Sequence, residues 1–151
     1  MTTFGDALYQ HGGRPVMGAE GYPTDYSGRV YHVNNITGSS ENDGLSWGQA
    51  MDEISTAAAA WETYRATLGN VYDRGVIYVA GTSTAYTALT TAFHYCDVVG
   101  IGADPFGNGA GIARIGADSG TGEDGCDFTA TMRGVNWKNI QFQAGNGGYA
   151  Y

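Results

Sequence analysis

Basic residues are scarce in this chain: seven Lys and Arg stand against fifteen Asp and Glu, and Lys138 is the only lysine. The formal net charge of −8 argues against nucleic acid and against an anionic membrane surface as partners, because both are held by clustered Lys and Arg. No apolar run approaches the roughly 18 residues that a membrane span needs. The N-terminal stretch Met1 to Gln10 lacks a basic segment followed by an apolar one, so no signal peptide is expected. Cysteine is nearly absent: Cys96 and Cys126 are too few for a disulfide framework, and free buried thiols are expected. The chain also has no Ser nucleophile elbow, phosphate loop, Cys-x-x-Cys or His-x-x-x-His. His11, His32 and His94 lie far apart in sequence, which argues against a metal site made from them.

Proline is rare (3 residues), whereas glycine is abundant (25 residues). Average usage would give about 11 glycines in a chain of this length. Without a collagen period, the excess signals tight turns between many short elements. With 151 residues and 42% hydrophobic composition, the chain has enough apolar material for one core.

Residues 1–28 show no sustained period, and His11-Gly12-Gly13-Arg14-Pro15 breaks the one helical turn that Phe4, Leu8 and Tyr9 suggest. Two readings stand: a solvated terminus, or an extended arm that orders on a neighbouring subunit through Phe4, Leu8, Tyr9, Val16, Met17, Tyr22 and Tyr26. Arg29 to Val33 is β-prone and predicts a strand. The loop from Asn34 to Ser46 contains Glu41-Asn42-Asp43-Gly44, similar to the middle of an EF-hand. The calcium template fails, because its first ligand would be Ser39 and its twelfth Ala50. Turns held by Asn and Asp side chains are expected instead.

A helix is predicted over 47–68. Ser46 and Gln49 have capping-box spacing, and Met51, Ile54, Ala58, Trp61, Arg65 and Leu68 recur at three and four. Trp61 is expected to plug the core. From Gly75 onward, short strands are predicted at 76–79, within 84–93, and at 97–101, 112–115, 128–132 and 137–142. Cys96-Asp97 and Cys126-Asp127 form a faint 30-residue repeat, and Val98 to Ile101 is matched to Asn139 to Phe142 two coils on. A coil of three short strands needs about 20 to 30 residues at 3.3 Å per residue. An antiparallel sandwich is the structural alternative.

Tyr31-His32-Val33-Asn34-Asn35-Ile36-Thr37-Gly38-Ser39-Ser40-Glu41-Asn42-Asp43-Gly44-Leu45-Ser46-Trp47 resembles the opening of pectate-lyase-like right-handed parallel β-helix proteins. Ala80-Gly81-Thr82-Ser83 resembles the turn that ends their next strand, and Cys96 to Gly102 resembles their second rung. The similarity runs from Val30 to about Gly145. It implies an all-β fold: a short right-handed parallel β-helix over 29–151, a cap helix over 47–68 and an N-terminal arm over 1–28. Few coils are present, and the sequence stops at Tyr149-Ala150-Tyr151 within what reads as a coil. An open coil end needs cover, from further chain or from another subunit.

The scaffold hosts many functions, so chemistry has to be sought in the residues. A glycosidase needs two carboxylates across a groove. The candidates Asp97, Asp104, Asp118, Glu123, Asp124 and Asp127 lie mostly in glycine-rich loops. A lyase needs a base, and Arg114, Arg133, Lys138 and His94 sit in no recognisable motif. No catalytic, cofactor or metal residue is assigned. Asn35-Ile36-Thr37 has the form of a glycosylation sequon, here read as coincidence. The expectation is a non-catalytic virion protein of a tailed phage, either a capsid decoration or cement protein or a tail component. It would be assembled in the host cytoplasm and held to other virion proteins as a homo-oligomer, with a trimer favoured. The alternatives are the N-terminal part of a polysaccharide lyase or hydrolase of the tailspike type, and a carbohydrate-binding adhesin module stacking sugars on Tyr86, Tyr95, Trp137 and Tyr149.

Overall fold

The computed structural model describes residues 28–68, 73–82, 84–102, 111–116 and 131–142. Most of its regular structure is strand: β1 (Val30–Val33), β2 (Gly75–Ala80), β3 (Cys96–Ile101), β4 (Ala113–Ile115), β5 (Asn136–Lys138) and β6 (Ile140–Phe142). One helix, α1 (Ile54–Arg65), separates β1 from β2. Among the described residues, all strand pairing is parallel. One sheet has the order β1-β2-β3-β5, and a second contains β4 and β6. Parallel neighbours need crossover connections rather than tight hairpins, and α1 lies in the one between β1 and β2.

In the larger sheet, register stacks like on like. Tyr31 lies beside Ile77, Ile77 beside Val98, and Val98 beside Trp137. Val33 and Val79 form a parallel inner column. All of these but the partly buried Trp137 join Trp61, Tyr86, Leu89, Phe93, Ala113 and Ile115 in a single buried core, against which Trp137 packs. Val76, Ile77 and Val79 are all buried, as a run apolar throughout predicts. Each such aliphatic side chain contributes roughly 1.5–3 kcal/mol on burial.

Trp61 organises the first rung. Its ring is fully buried, and its Nε1–H donates to the His94 carbonyl at 2.7 Å. A Cβ at Gly28 would lie 2.5 Å from the ring, and one at Gly75 2.6 Å, so the two glycines let backbone press on the indole from the strand side. Gly28 N–H donates to the Arg74 carbonyl at 2.9 Å, which fixes the chain where it enters β1.

The structure corrects the predicted helix start. Trp47–Gln49 is a single 3-10 turn, and α1 begins at Ile54, with no side-chain cap bond from Ser46 or from Glu53. Met51 has helical spacing to Ile54, yet it is extended and bridges Val33. The reason is competition for hydrogen bonds: Asn34 N–H donates to Met51 O, and Met51 N–H donates to His32 O. Ile54, Ala58 and Trp61 do face the core.

The predicted strand 137–142 is two strands in different sheets. Asn139 has φ +51 and turns the chain between β5 and β6, a conformation Asn tolerates better than most residues. β3 therefore pairs directly with β5, Asp97 beside Asn136, and the matching of Val98–Ile101 to Asn139–Phe142 two coils on is overturned. The in-register steps are 76 − 30 = 46 residues from β1 to β2, 97 − 76 = 21 from β2 to β3 and 136 − 97 = 39 from β3 to β5, so the middle step alone falls in the expected range of about 20 to 30. Between 84 and 93 the named pairing is the bridge from Tyr86 to Ile115. The segment 128–130 and Cys126 lie outside the described residues.

Candidate functional site: the two ends of the strand stack

β1 and β5 are the outer strands of the larger sheet, and the chain treats them differently. The free side of β1 is closed by the loop after it. His32 N–H donates to Gly44 O at 2.7 Å, Asn34 N–H to Met51 O at 2.8 Å, and Met51 N–H to His32 O at 2.9 Å. Local side chains shape that loop: Asn34 Oδ1 accepts from Ile36 and Thr37, Asp43 Oδ1 from Leu45, and Asn42 Nδ2 donates to Ala50 O. This is the Asx-turn arrangement expected in place of calcium binding.

Asn35 reaches further. Its Nδ2 donates to Thr84 O at 3.0 Å and Ala85 O at 3.3 Å, and its Oδ1 accepts from Thr82 Oγ1 at 2.7 Å. The amide thus clamps the first loop to the turn after β2. Glu53 does the same at the helix start, accepting from Thr87 N–H and Oγ1 at 3.2 and 3.0 Å.

At the other end, β5 and β6 each pair on one side only among the described residues. Trp137, Ile140 and Phe142 are partly buried against the core. Trp137 meets Phe93 and Phe142 edge-on, with ring centroids 5.9 and 5.2 Å apart. Such an edge presents backbone N–H and C=O groups that another strand can pair with.

Polar contacts join β3, β5 and the residue before β2 at one corner. Asp97, 5% exposed, accepts from Arg74 Nη2 and from Asn136 Nδ2, the latter at 3.0 Å. Paired on both sides, this buried carboxylate holds rungs together. Tyr95 has φ +49; its N–H donates to Arg133 O at 2.8 Å, and its own carbonyl accepts from Gly75 N–H at 3.0 Å.

The residues singled out from sequence fall into three groups. Phe4, Leu8, Tyr9, Val16, Met17, Tyr22, Tyr26, Asp104, Asp118, Glu123, Asp124, Asp127 and Tyr149 lie outside the described residues. His94 and Arg133 meet through a ring-to-backbone hydrogen bond, Asp97 is paired with Arg74 and Asn136 instead, Arg114 is on β4 and Lys138 on β5. The proposed stacking set is overturned at Tyr86, which is fully buried. Its hydroxyl donates to Ala80 O at 2.8 Å, and burial raises its pKa to about 12. Burial likewise pushes the Cys96 thiol up, followed by the nearby Asp97 charge, so the sulfur is an inert core atom.

The exposed aromatic group is elsewhere. Trp47, 43% exposed, meets His32 edge-on with centroids 4.8 Å apart, and His32 lies 5.9 Å from Tyr78. His32 and Tyr78 are in-register neighbours on the outer face. That parity was legible in the strands; the return of Trp47 over them was not, since a helical Trp47 would face elsewhere.

Among the described residues, no three His, Cys, Asp or Glu side chains converge as metal ligands, and no helix is long and apolar enough to cross a membrane. Comparisons with protein-family models, with curated proteins and with solved structures each find no match to this chain.

Proposed function

We propose that this chain is a non-catalytic structural protein of a tailed-phage virion, a capsid decoration, cement or tail component. Its core would be a short right-handed parallel β-helix that binds a neighbouring subunit through its open end. The carrying observation is the asymmetry of the larger sheet: the chain's own loop bonds to the outer side of β1, whereas no strand among the described residues pairs with the outer side of β5. Sequential parallel neighbours and a second parallel sheet support the coiled arrangement. Partly buried Trp137, Ile140 and Phe142 at the open end support a subunit contact. In this proposal residues 1–28 act as a partner-binding arm and the assembly is a homotrimer.

Light scattering on the purified chain tests the assembly. The expected mass is about three times 15.9 kDa. A stable monomer that cleaves capsular polysaccharide would overturn the proposal and favour the depolymerase alternative.

The Trp47–His32–Tyr78 group favours a second reading, a carbohydrate-binding module. In that case Trp47→Ala abolishes retention on immobilised host polysaccharide while the fold persists. Equal retention of wild type and variant removes this reading.

A further inference from the structure

His94 sits where α1, β3 and the last rung meet, and its backbone is held by two helix residues. Trp61 Nε1–H donates to its carbonyl at 2.7 Å, and its N–H donates to Glu62 Oε1 at 2.7 Å. The ring is left to face the next rung, where Nδ1 lies 3.2 Å from the backbone N of Arg133. A backbone amide only donates, so Nδ1 accepts and the ring proton resides on Nε2. Tyr95 N–H to Arg133 O continues the same tie, and His94 and Arg133 form a parallel bridge ahead of β5.

We infer that His94 is an acid-sensitive latch: neutral, it fastens the Arg133 segment and β5 to the third rung, and protonated, it lets them go. A proton on Nδ1 occupies the lone pair that receives the Arg133 N–H, so bond and charge exclude each other. The ring is partly exposed, which gives protons access. His32 is built the opposite way. Its Nδ1 faces the Gly44 carbonyl at 3.1 Å and donates to it, so a second ring proton leaves that bond intact. Acid therefore loosens the open end and spares the closed one.

The charged groups on the elements packed at this corner are Glu62 and Arg65 on α1, Arg74 before β2, Asp97 on β3 and Arg133 itself. Glu62 pairs with Arg65 at 2.6 Å, and Arg74 pairs with Asp97. Carboxylates ordinarily titrate near pH 4 and stay charged above about pH 5, so the comparison is made between about pH 7.5 and 5, where these ion pairs persist. The latch does not depend on what the open end binds.

Amide hydrogen exchange, corrected for intrinsic rates and read across that pH range, is the test. In wild type, protection of residues 133–138 should fall about tenfold, the worth of one neutral hydrogen bond, while α1 is unchanged. His94→Asn places a non-titrating oxygen acceptor at the Nδ1 position and should keep protection flat with pH. His94→Ala should be weakly protected throughout. Constant protection in wild type, or a parallel fall in His94→Asn, would falsify the latch.

Discussion

Along the outer side of β1, backbone hydrogen bonds tie His32 and Asn34 to Gly44 and Met51 of the following loop. Along the outer side of β5 no strand pairs among the described residues, although β5 and β6 carry Trp137, Ile140 and Phe142 at the margin of the core. One end is finished by residues close in sequence, the loop 34–51 and α1. The other is fastened by side chains reaching between rungs: Asp97 to Arg74 and Asn136, and His94 to Arg133. A sheet end that is locally satisfied is a terminus, and one that is merely held is a site for extension.

Removing Trp61 should break this contrast most severely. Trp61→Ala deletes a fully buried ring and the bond to His94 O, so a loss of about 3–5 kcal/mol is expected in urea denaturation. Exchange protection should fall at both ends, because the indole supports the β1 entry and the His94 backbone together. A loss confined to α1 would show that the ends are independent.

Gly100→Ala sharpens the contrast from the other side. A Cβ there collides with the Asn139 carbonyl oxygen, at the turn that divides β5 from β6. Relief requires the last rung to move, at a cost of about 1–3 kcal/mol. Protection should vanish over 136–142 and persist in α1; a uniform loss would make the two ends one cooperative unit.

A smaller effect is expected for Tyr86→Phe, which removes the hydroxyl linking the turn after β2 to the core. With Ala80 O left without that donor, a loss of about 1–2 kcal/mol at neutral pH follows. Because burial raises this phenol to about 12 from its ordinary 10, its neutral form favours the fold. That contribution is complete below about pH 10 and is lost as pH rises towards about 12. Denaturation between about pH 8 and 11.5 should show a shallower alkaline decline in the variant.

Much of the strand order could be read directly. β1 to β4 follow β-prone runs between glycines, and Ile54, Ala58 and Trp61 mark the inner face of α1. The helix start could not. Met51 satisfies the helical period, but two backbone bonds to β1, invisible in a local window, draw it into an extended bridge. Nor could β5 and β6 be separated, since the run Trp137 to Phe142 reads as one strand until Asn139 turns left-handed. Tyr86 misled for a related reason: a tyrosine among threonines suits a surface, and only tertiary contacts show its hydroxyl satisfied inside. Which ring nitrogen of His94 meets Arg133 is a matter of tertiary geometry alone, with no signal in the sequence.

The Asn35 amide has a practical consequence. Its Nδ2 is committed to Thr84 O and Ala85 O, and Asn35-Ile36-Thr37 is also an acceptor sequence for N-linked sugar. In a secretory eukaryotic host, an oligosaccharide added to the nascent chain would occupy the same nitrogen before the clamp could close. Material made that way would carry its sugar at the cost of the joint between the first loop and the turn after β2. A bacterial cytoplasm avoids that competition, and so does Asn35→Asp, which keeps the oxygen that receives Thr82 and gives up the donor.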